Sequence, residues 1–580
     1  MTSSRSQQLY RIGWLFAVAL SVAAYLGVWS GRLVWDDADL VWDPTAPGGG
    51  SAVGGGDTFL HCFTRPFLWN YYRPLVSASF YIEHHFYGRE PLGYHISNTL
   101  LHAAATALFA PLLLAAFRKR SVALAGALLY AIHPVHVSAV GWIGGRTDAL
   151  CCFWTVCFAY ALVRAAQSEG DARVGWVGAS AAFYALALFT KEQMLAVLPA
   201  APLAFACFRP VGGAPRRFAG WIATVPFAIA ALLFVVIGGY LGMPSIPPPR
   251  ADRLTQMAMA GWTWVHYARL LVLPTMPLLH TFSLGGYERT GWIGAAAGWA
   301  LALGAVGLFA VWMRTHRPSA WFLALAALSL GPVSNLTPMW FLLLGPYRAA
   351  IASIGVCALL GRLADPGIFG GDRAAGAARA AFAVLSVWYL ALTLSGLSSW
   401  RSDTDLFSAI VRDDPDSVLG RYMLARLLIA KDQEERAAPH VEHMLQWLYR
   451  SDAWRRPDEA ARAALTDRSL RMRVIQHQGG ANDPRFFLCT VFTQLGCARS
   501  KSGDLAGARA AYDTADRLNP GTADVAVGLG YLAYRAKRYA EAEQHFRAAL
   551  RAKPPRPDAL GMLAQVYAAE GRAGGATPAR

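Results

Sequence analysis

Over the first two thirds of the chain, apolar residues are bunched into runs instead of recurring at a helical period. From Ile12 to about Leu397, runs of bilayer length alternate with short polar breaks. A spanning helix needs about 20 mostly apolar residues. The pattern predicts spans at 11–29, 95–117, 121–140, 148–166, 173–189, 192–208, 218–240, 291–313, 320–331 (short), 338–361 and 381–398. The stretch 257–274 is different. It carries Trp262, Trp264, His266, Tyr267 and Arg269, which suits an amphipathic helix lying in the interface. The first run is too long for a cleaved signal peptide, and no A-x-A-like site follows it.

After Trp400 the chain turns polar and helical, and a repeat emerges. Gly496, Ala508, Tyr512 and Pro520 recur as Gly530, Ala542, Phe546 and Pro554, each pair 34 residues apart. A half repeat starts at Pro557, with Leu563, Tyr567 and Gly571 in register, and 416–450 reads as a degenerate earlier unit. Period and residue types resemble the tetratricopeptide repeat. Small residues let paired helices approach, the aromatic fills the gap, and Pro ends the second helix. Such an array offers a groove for peptides or proteins. The expected fold is all-α: a polytopic membrane bundle over 1–398, with 31–93 as its first outer loop, and an extracytoplasmic repeat domain over 399–580.

Composition agrees with the pattern. The chain has 580 residues, 55% hydrophobic and only 16% charged, against about 25% charged in an ordinary soluble domain. Its 8 Cys sit mostly in apolar runs and are too sparse for a disulfide scaffold. The net charge of +16 fits either nucleic acid or a membrane surface. Location decides. Basic clusters at Arg5/Arg11, Arg118–Arg120, Arg164/Arg173, Arg209/Arg216/Arg217, Arg314/Arg317 and Arg362/Arg373/Arg379 fall in alternate loops. Placing all of them in the cytoplasm gives about eleven spans, an inside N-terminus and outside repeats, provided 257–274 does not cross. The excess charge then reflects topology, which argues against a nucleic-acid partner.

Chemistry is therefore sought at the outer ends of the spans. Asp36 and Asp37 follow the first span; such carboxylates bind a metal, orient a hydroxyl or accept its proton, or else simply begin a solvated acidic loop. Tyr72 and Arg73 lie in Asn70-Tyr71-Tyr72-Arg73-Pro74. His95, Asn98 and His102 share a helix face at i, i+3 and i+7. His84, His85 and His95 could be read as zinc ligands, but no Cys/His framework with metal spacing accompanies them. His102, deeper in the span, suits an interhelical hydrogen bond. The run from His133 to Asp148 gathers His133, His136, Arg146 and Asp148 in one loop, either to meet a phosphate or as caps with an Arg146–Asp148 pair. Lys191 faces a lipid phosphate or pairs with Glu192. Asn335 and Arg348 sit in a further polar loop. No G-x-x-x-x-G-K-[ST] loop and no G-x-S-x-G elbow occurs.

Asp36-Asp37, Tyr72-Arg73-Pro74-Leu75, His95…Asn98…His102, His133-Pro134-Val135-His136, Gly145-Arg146-Thr147-Asp148, Lys191-Glu192 and Ser334-Asn335-Leu336 stand in that order before the repeats. In this the chain resembles the transmembrane and tetratricopeptide repeat-containing (TMTC) proteins and their bacterial relatives, which are related to protein O-mannosyltransferases among the GT-C glycosyltransferases. The resemblance covers nearly the whole chain. It implies a multi-span enzyme of the bacterial inner membrane that moves mannose or a similar hexose from a polyprenyl-phosphate donor to a hydroxyl, often protein Ser or Thr, on the outer face. It makes Asp36 and Asp37 the catalytic pair, with a divalent metal (magnesium or manganese) near Asp36 as a conceivable helper. Arg73, Arg146, Lys191 and Arg348 become ligands of the departing lipid phosphate. Tyr72, His95, Asn98, His133, His136, Asp148 and Asn335 border the cavity, and the repeat groove takes the protein acceptor. Departures are Ser138 in place of a frequent Glu, Gly345-Pro346-Tyr347-Arg348 in place of a Glu-Arg-Tyr run, and a Gly-rich insert at Pro47–Gly56. Two other classes fit the pattern: a non-catalytic scaffold that recruits envelope proteins, and a transporter of a polyprenyl-linked substrate.

Overall fold

Prolines set many of the helix boundaries. Pro74 opens the helix Pro74–Tyr87 and Pro91 opens Pro91–Phe117, each in the first turn, where the missing N–H has no intrahelical partner to lose. Pro134 holds His133 extended and divides the run 121–140 into the helices Arg120–Ile132 and His136–Gly141. The run 192–208 likewise becomes a 3-10 segment, Glu192–Val197, and a short helix, Ala200–Cys207.

The computed structural model describes residues 2–41, 59–65, 67, 71–208, 222–241, 253–274, 285–336, 344–365, 372–467, 470, 474 and 483–572. The insert Pro47–Gly56, Asn70 and Thr337-Pro338 lie outside the described residues. Among those described, every regular element is helical, and an antiparallel bridge joins Phe67 to Tyr71. Two compact units result, one ending at Ala409 and one beginning at Ile410.

In the first unit, six described helices are long and apolar enough to cross a membrane: Arg5–Val28, Pro91–Phe117, Arg146–Gln167, Gly291–Thr315, Pro346–Ala364 and Asp372–Trp400. The chain reads as a multi-pass membrane protein. Other predicted spans form shorter helices, among them Val225–Tyr240 with 16 residues and Arg317–Leu330 with 14. The ambiguous stretch is a 20-residue helix, Arg253–Val272, and is not one of the six.

Between apolar helices in lipid, close backbone approach substitutes for hydrophobic driving force. Helix Arg120–Ile132 meets the end of Ala350–Gly361 in this way: a Cβ at Gly361 would lie 2.7 Å from the Gly126 nitrogen. Around that crossing Leu129, Phe158, Leu162, Trp321, Phe322 and Ile354 form a core with no solvent exposure.

The second unit is a succession of helix pairs. Leu505–Leu518 and Tyr539–Arg551 start 34 residues apart, as the repeat requires. Gly496 lies against the Tyr512 ring and Gly530 against Phe546, while Ala508 and Ala542 are fully buried. Pro520 and Pro554 follow the two helix ends. The half repeat is the helix Ala559–Ala569 with Leu563 and Tyr567 buried, and 416–450 contains the pair Val418–Ala430 and Glu434–Tyr449. Ser417, Asp483 and Asp504 cap their helices by accepting from the backbone nitrogens of Gly420, Arg485 and Gly507.

Candidate functional site

The first loop leaves the bundle through Gly31, where only glycine fits. A Cβ there would lie 2.9 Å from the Val28 carbonyl and 3.1 Å from His95 Nε2. Trp35 then adopts a left-handed φ of 62°, and its N–H donates to Asp403 Oδ1 at 2.6 Å. This turn presents Asp36 and Asp37 in succession. Asp37 is fully buried and accepts two backbone N–H groups, Val34 on Oδ2 and Gly144 on Oδ1, both at 2.9 Å. The first bond closes its own turn. The second fastens the first loop to the loop that precedes Arg146. Burial, and then the neighbouring charge of Asp36, push the Asp37 carboxyl well above the usual carboxylate range.

Trp142 joins this acidic turn to a basic one. Its indole is stacked between Trp35 at 5.4 Å and Trp400 at 5.7 Å, and it meets the Tyr347 ring edge-on at 5.9 Å. Lys191 Nζ and the Arg348 guanidinium each lie 5.6 Å from the centroid of that same tyrosine. Arg348 is buried and has the hydroxyls of Tyr347, Tyr267 and Tyr71 among its electrostatic neighbours. Arg73 stands 4.1 Å above the Tyr71 ring. The structure thus gathers Arg73, Lys191 and Arg348 around Tyr71 and Tyr347, and connects them through Trp142 to Asp36 and Asp37.

Three consecutive residues hold this arrangement together. Lys191 pairs with Asp148 at 2.5 Å, both deeply buried. Glu192 grips Arg73 with two bonds, from Nε at 3.0 Å and Nη2 at 2.7 Å. Gln193 donates to the carbonyls of Ser329 and Arg348, at 2.5 and 3.0 Å. Burial opposes the charge on Arg73, but Glu192 outweighs it and holds the guanidinium above its ordinary pKa. The local pairings within Arg146/Asp148 and Lys191/Glu192 are therefore replaced by pairings between elements.

Arg146 is placed differently from an anion ligand. Its guanidinium binds both oxygens of Glu83 at 2.8 Å, and also Asn98 Oδ1, Ser79 Oγ and the Tyr94 carbonyl, at 1% exposure. Asn98 passes the connection on through Nδ2 to the Trp142 carbonyl at 3.0 Å. Arg146 and Asn98 thus brace the loop that carries Trp142 and Gly144.

Other expected cavity residues lie elsewhere in the bundle. Tyr72 donates to the Phe63 carbonyl and packs on Phe189 and Phe234. His133 Nδ1 accepts from the Val135 N–H, so its Nε2–H donates to the Leu271 carbonyl. Ser353 gives its own proton to Ala350, so it accepts from His136 Nε2 at 3.1 Å. The His136 ring lies 4.7 Å from His102 and 4.6 Å from Tyr130. His102 makes the expected interhelical bond, to the Ala131 carbonyl at 3.0 Å. Asn335, at φ 60°, donates to Thr263 Oγ1 at 2.9 Å. His95 is buried, and neither ring nitrogen has a hydrogen-bond partner among the described residues.

Sequence reasoning missed Trp142, Tyr347, Trp400, Asp403 and the partner roles of Glu83 and Glu192. An interfacial Trp or Tyr was a visible signal, but one shared with ordinary membrane-boundary aromatics. Among the described residues no three His, Cys, Asp or Glu side chains group to hold a metal ion. Both Asp37 oxygens already accept N–H groups.

A tetratricopeptide repeat family model matches residues 493–557. Over 301 residues the chain is 26% identical to Protein O-mannosyl-transferase F38B6.6 of Caenorhabditis elegans, covering 48% of this chain and 40% of that protein. It is 30% identical over 196 residues to Protein O-mannosyl-transferase TMTC2 of Mus musculus, covering 32% and 23%. It is 33% identical over 148 residues to Protein O-mannosyl-transferase TMTC4 of Homo sapiens, covering 22% and 20%. These matches span less than half the length of each relative.

Proposed function

We propose that this chain is a membrane glycosyltransferase of the GT-C kind that moves mannose or a similar hexose from a polyprenyl-phosphate donor to a hydroxyl, protein Ser or Thr, on the outer face of a bacterial inner membrane. The names of its relatives supply the reaction class. The observation that supports the reading is the Trp142–Tyr347 junction, which links the turn carrying two adjacent aspartates to a cluster of three cations.

The chemistry divides between the two sides. The acceptor oxygen bonds to the anomeric carbon while the sugar–phosphate bond breaks, and the phosphate leaves with the electron pair. A carboxylate takes the hydroxyl proton. Asp37 is committed to two backbone donors, so it holds the turn, and Asp36 is the base. Arg348 and Lys191, on either side of Tyr347, with Arg73 beside Tyr71, balance the charge that grows on the phosphate. Arg146, bound to Glu83, acts as a brace. In this reading the N-terminus is cytoplasmic, and the outside repeats offer their groove to the protein acceptor.

One observation favours the scaffold reading instead. Arg146, Arg73 and Lys191 all carry carboxylate partners in the structure, so an anion must compete for two of the three proposed phosphate cations. Transfer of radiolabelled mannose from polyprenyl-phosphate mannose to a Ser/Thr peptide, in membranes containing the full chain, decides between them. Transfer that is lost in Asp36→Asn supports the enzyme. Equal transfer by wild type and Asp36→Asn removes Asp36 as the base, and no transfer by either leaves the scaffold.

A further inference from the structure

Three membrane spans finish together at one corner of the first unit. Pro91–Phe117 ends there with Phe117, Gly291–Thr315 with Thr315 and Pro346–Ala364 with Ala364. The Phe117 ring stacks against His316 at 6.0 Å and Phe322 at 5.4 Å. The Arg362 guanidinium lies 6.0 Å from the centroid of the same ring. Between Asn98, which braces Arg146, and Phe117 the helix rises about 28 Å. The hydrocarbon core of a bilayer is about 30 Å thick. The corner therefore meets the membrane surface opposite the candidate site.

Charge at this corner is unbalanced. The segments 117–120, 314–319 and 362–365 carry Arg118, Lys119, Arg120, Arg314, Arg317 and Arg362 against a single carboxylate, Asp365. Lys119 takes both oxygens of that carboxylate at 2.7 Å. Arg362 engages Ser319 Oγ through Nη1 at 2.7 Å, and its Nε and Nη2 bond no described residue. Ser319 gives its own proton to His316 Nδ1 at 3.0 Å, so the neutral imidazole carries its proton on Nε2. A guanidinium fork and an imidazole donor are thus fixed on one phenyl ring. Arg118 closes the span at a left-handed φ of 58°, where glycine would be unstrained. Its side chain is exposed, as is that of Arg317.

We infer that the Phe117/His316/Arg362 corner binds the phosphate of an anionic phospholipid. Arg362 supplies a planar fork matched to phosphate oxygens. Arg118 and Arg317, chain neighbours of the two stacked rings, add charge. Basic corners between spans at a membrane surface select anionic headgroups. The source is lipid, because each of the three segments leaves the bilayer here, and Leu363, 41% exposed beside Arg362, offers an acyl chain an apolar contact. Bound there, the phosphate joins three span ends whose cations otherwise repel. The inference does not depend on the proposed reaction.

Native mass spectrometry of the full-length chain in detergent, titrated with dioleoyl phosphatidylglycerol or dioleoyl phosphatidylcholine at constant ionic strength, tests it. Phosphatidylglycerol is expected to bind at least about fivefold more tightly than phosphatidylcholine. Arg362→Gln should weaken phosphatidylglycerol binding about fivefold, the effect of one cation beside an anionic headgroup, and leave phosphatidylcholine binding unchanged. Equal binding of the two lipids overturns the inference, and so does an Arg362→Gln chain that binds like wild type. Inorganic phosphate binding as tightly as phosphatidylglycerol also overturns it, because the site then takes a free anion. The double variant Arg118→Gln/Arg317→Gln changes only exposed side chains, so folding is not at stake. It must weaken phosphatidylglycerol binding in the same direction, and no change there overturns the inference as well.

Discussion

The two units use charge in opposite ways. In the first, Lys191 and Asp148 form an ion pair at 5% and 3% side-chain exposure, among helices that are otherwise apolar. In the second, Arg456 and Glu459 pair at 2.7 Å but at 67% and 40% exposure. An exposed pair exchanges one hydrated state for another and contributes little, whereas a buried one leaves an uncompensated charge when broken. The repeat unit therefore draws its order from small residues packed under aromatics. The membrane unit holds Lys191 with Asp148, Arg146 with Glu83 and Arg73 with Glu192, each cation at most 13% exposed. Ionisable groups held at membrane depth mark function more often than stability.

The sharpest way to break this contrast is at the aspartates. Asp36→Asn is expected to lower sugar transfer by about 10²–10⁴-fold, the range for removing a general base, with the thermal unfolding midpoint unchanged. A large drop in that midpoint would make Asp36 structural. Asp37→Asn is expected to lose stability as well, because an amide cannot accept both N–H groups.

Next in size is the buried pair. Asp148→Ala, which strands Lys191, should cost about 3–5 kcal/mol, read as a lower midpoint in detergent. Arg456→Ala, which breaks the exposed pair with Glu459, should cost no more than about 1 kcal/mol. Similar losses in the two variants would dissolve the comparison.

The repeat unit should respond to volume instead. A Cβ at Gly496 would lie 2.7 Å from Tyr512, so Gly496→Ala should cost about 1–3 kcal/mol by overpacking. Circular dichroism melting of the full chain measures it, and sugar transfer should persist below the new midpoint.

The smallest effect is a pH dependence that separates stability from activity. The Asp37 carboxyl is raised in the folded state, so its neutral form favours folding. That contribution is complete below the ordinary Asp value of about 3.9 and is lost as pH rises through the raised value. Wild type should therefore lose thermal stability across this window relative to Asp37→Asn. Transfer should run the other way, falling as pH drops into the window and the Asp37 charge beside Asp36 is lost. Parallel pH curves for wild type and Asp37→Asn would remove Asp37 from the account.

How much of this could be read from the chain differs by level. Helix class, the membrane-versus-repeat division and the repeat register were legible because each depends on neighbours a few to 34 residues apart. Tyr512 and Phe546 could be assigned to Gly496 and Gly530 from spacing alone. The site was legible only as a set of candidates. His102 met the kind of partner its depth implied, but Arg146 turned to Glu83, and Lys191 passed over Glu192 for Asp148. Trp142 drew no attention as an ordinary boundary aromatic, yet it joins the two halves of the site.

The sequence by itself determined which segments seek lipid, where the helices stop and which residues are costly to bury. Those are properties of composition and local backbone preference. Only the tertiary structure decided which carboxylate neutralises which cation. Arg73 and Glu192, Lys191 and Asp148, and Arg146 and Glu83 are 119, 43 and 63 residues apart, and oppositely charged groups are interchangeable until packing sets their distances. For the same reason Asp36 and Asp37, identical in type and adjacent in the chain, diverge only once the Gly144 N–H arrives to claim one of them.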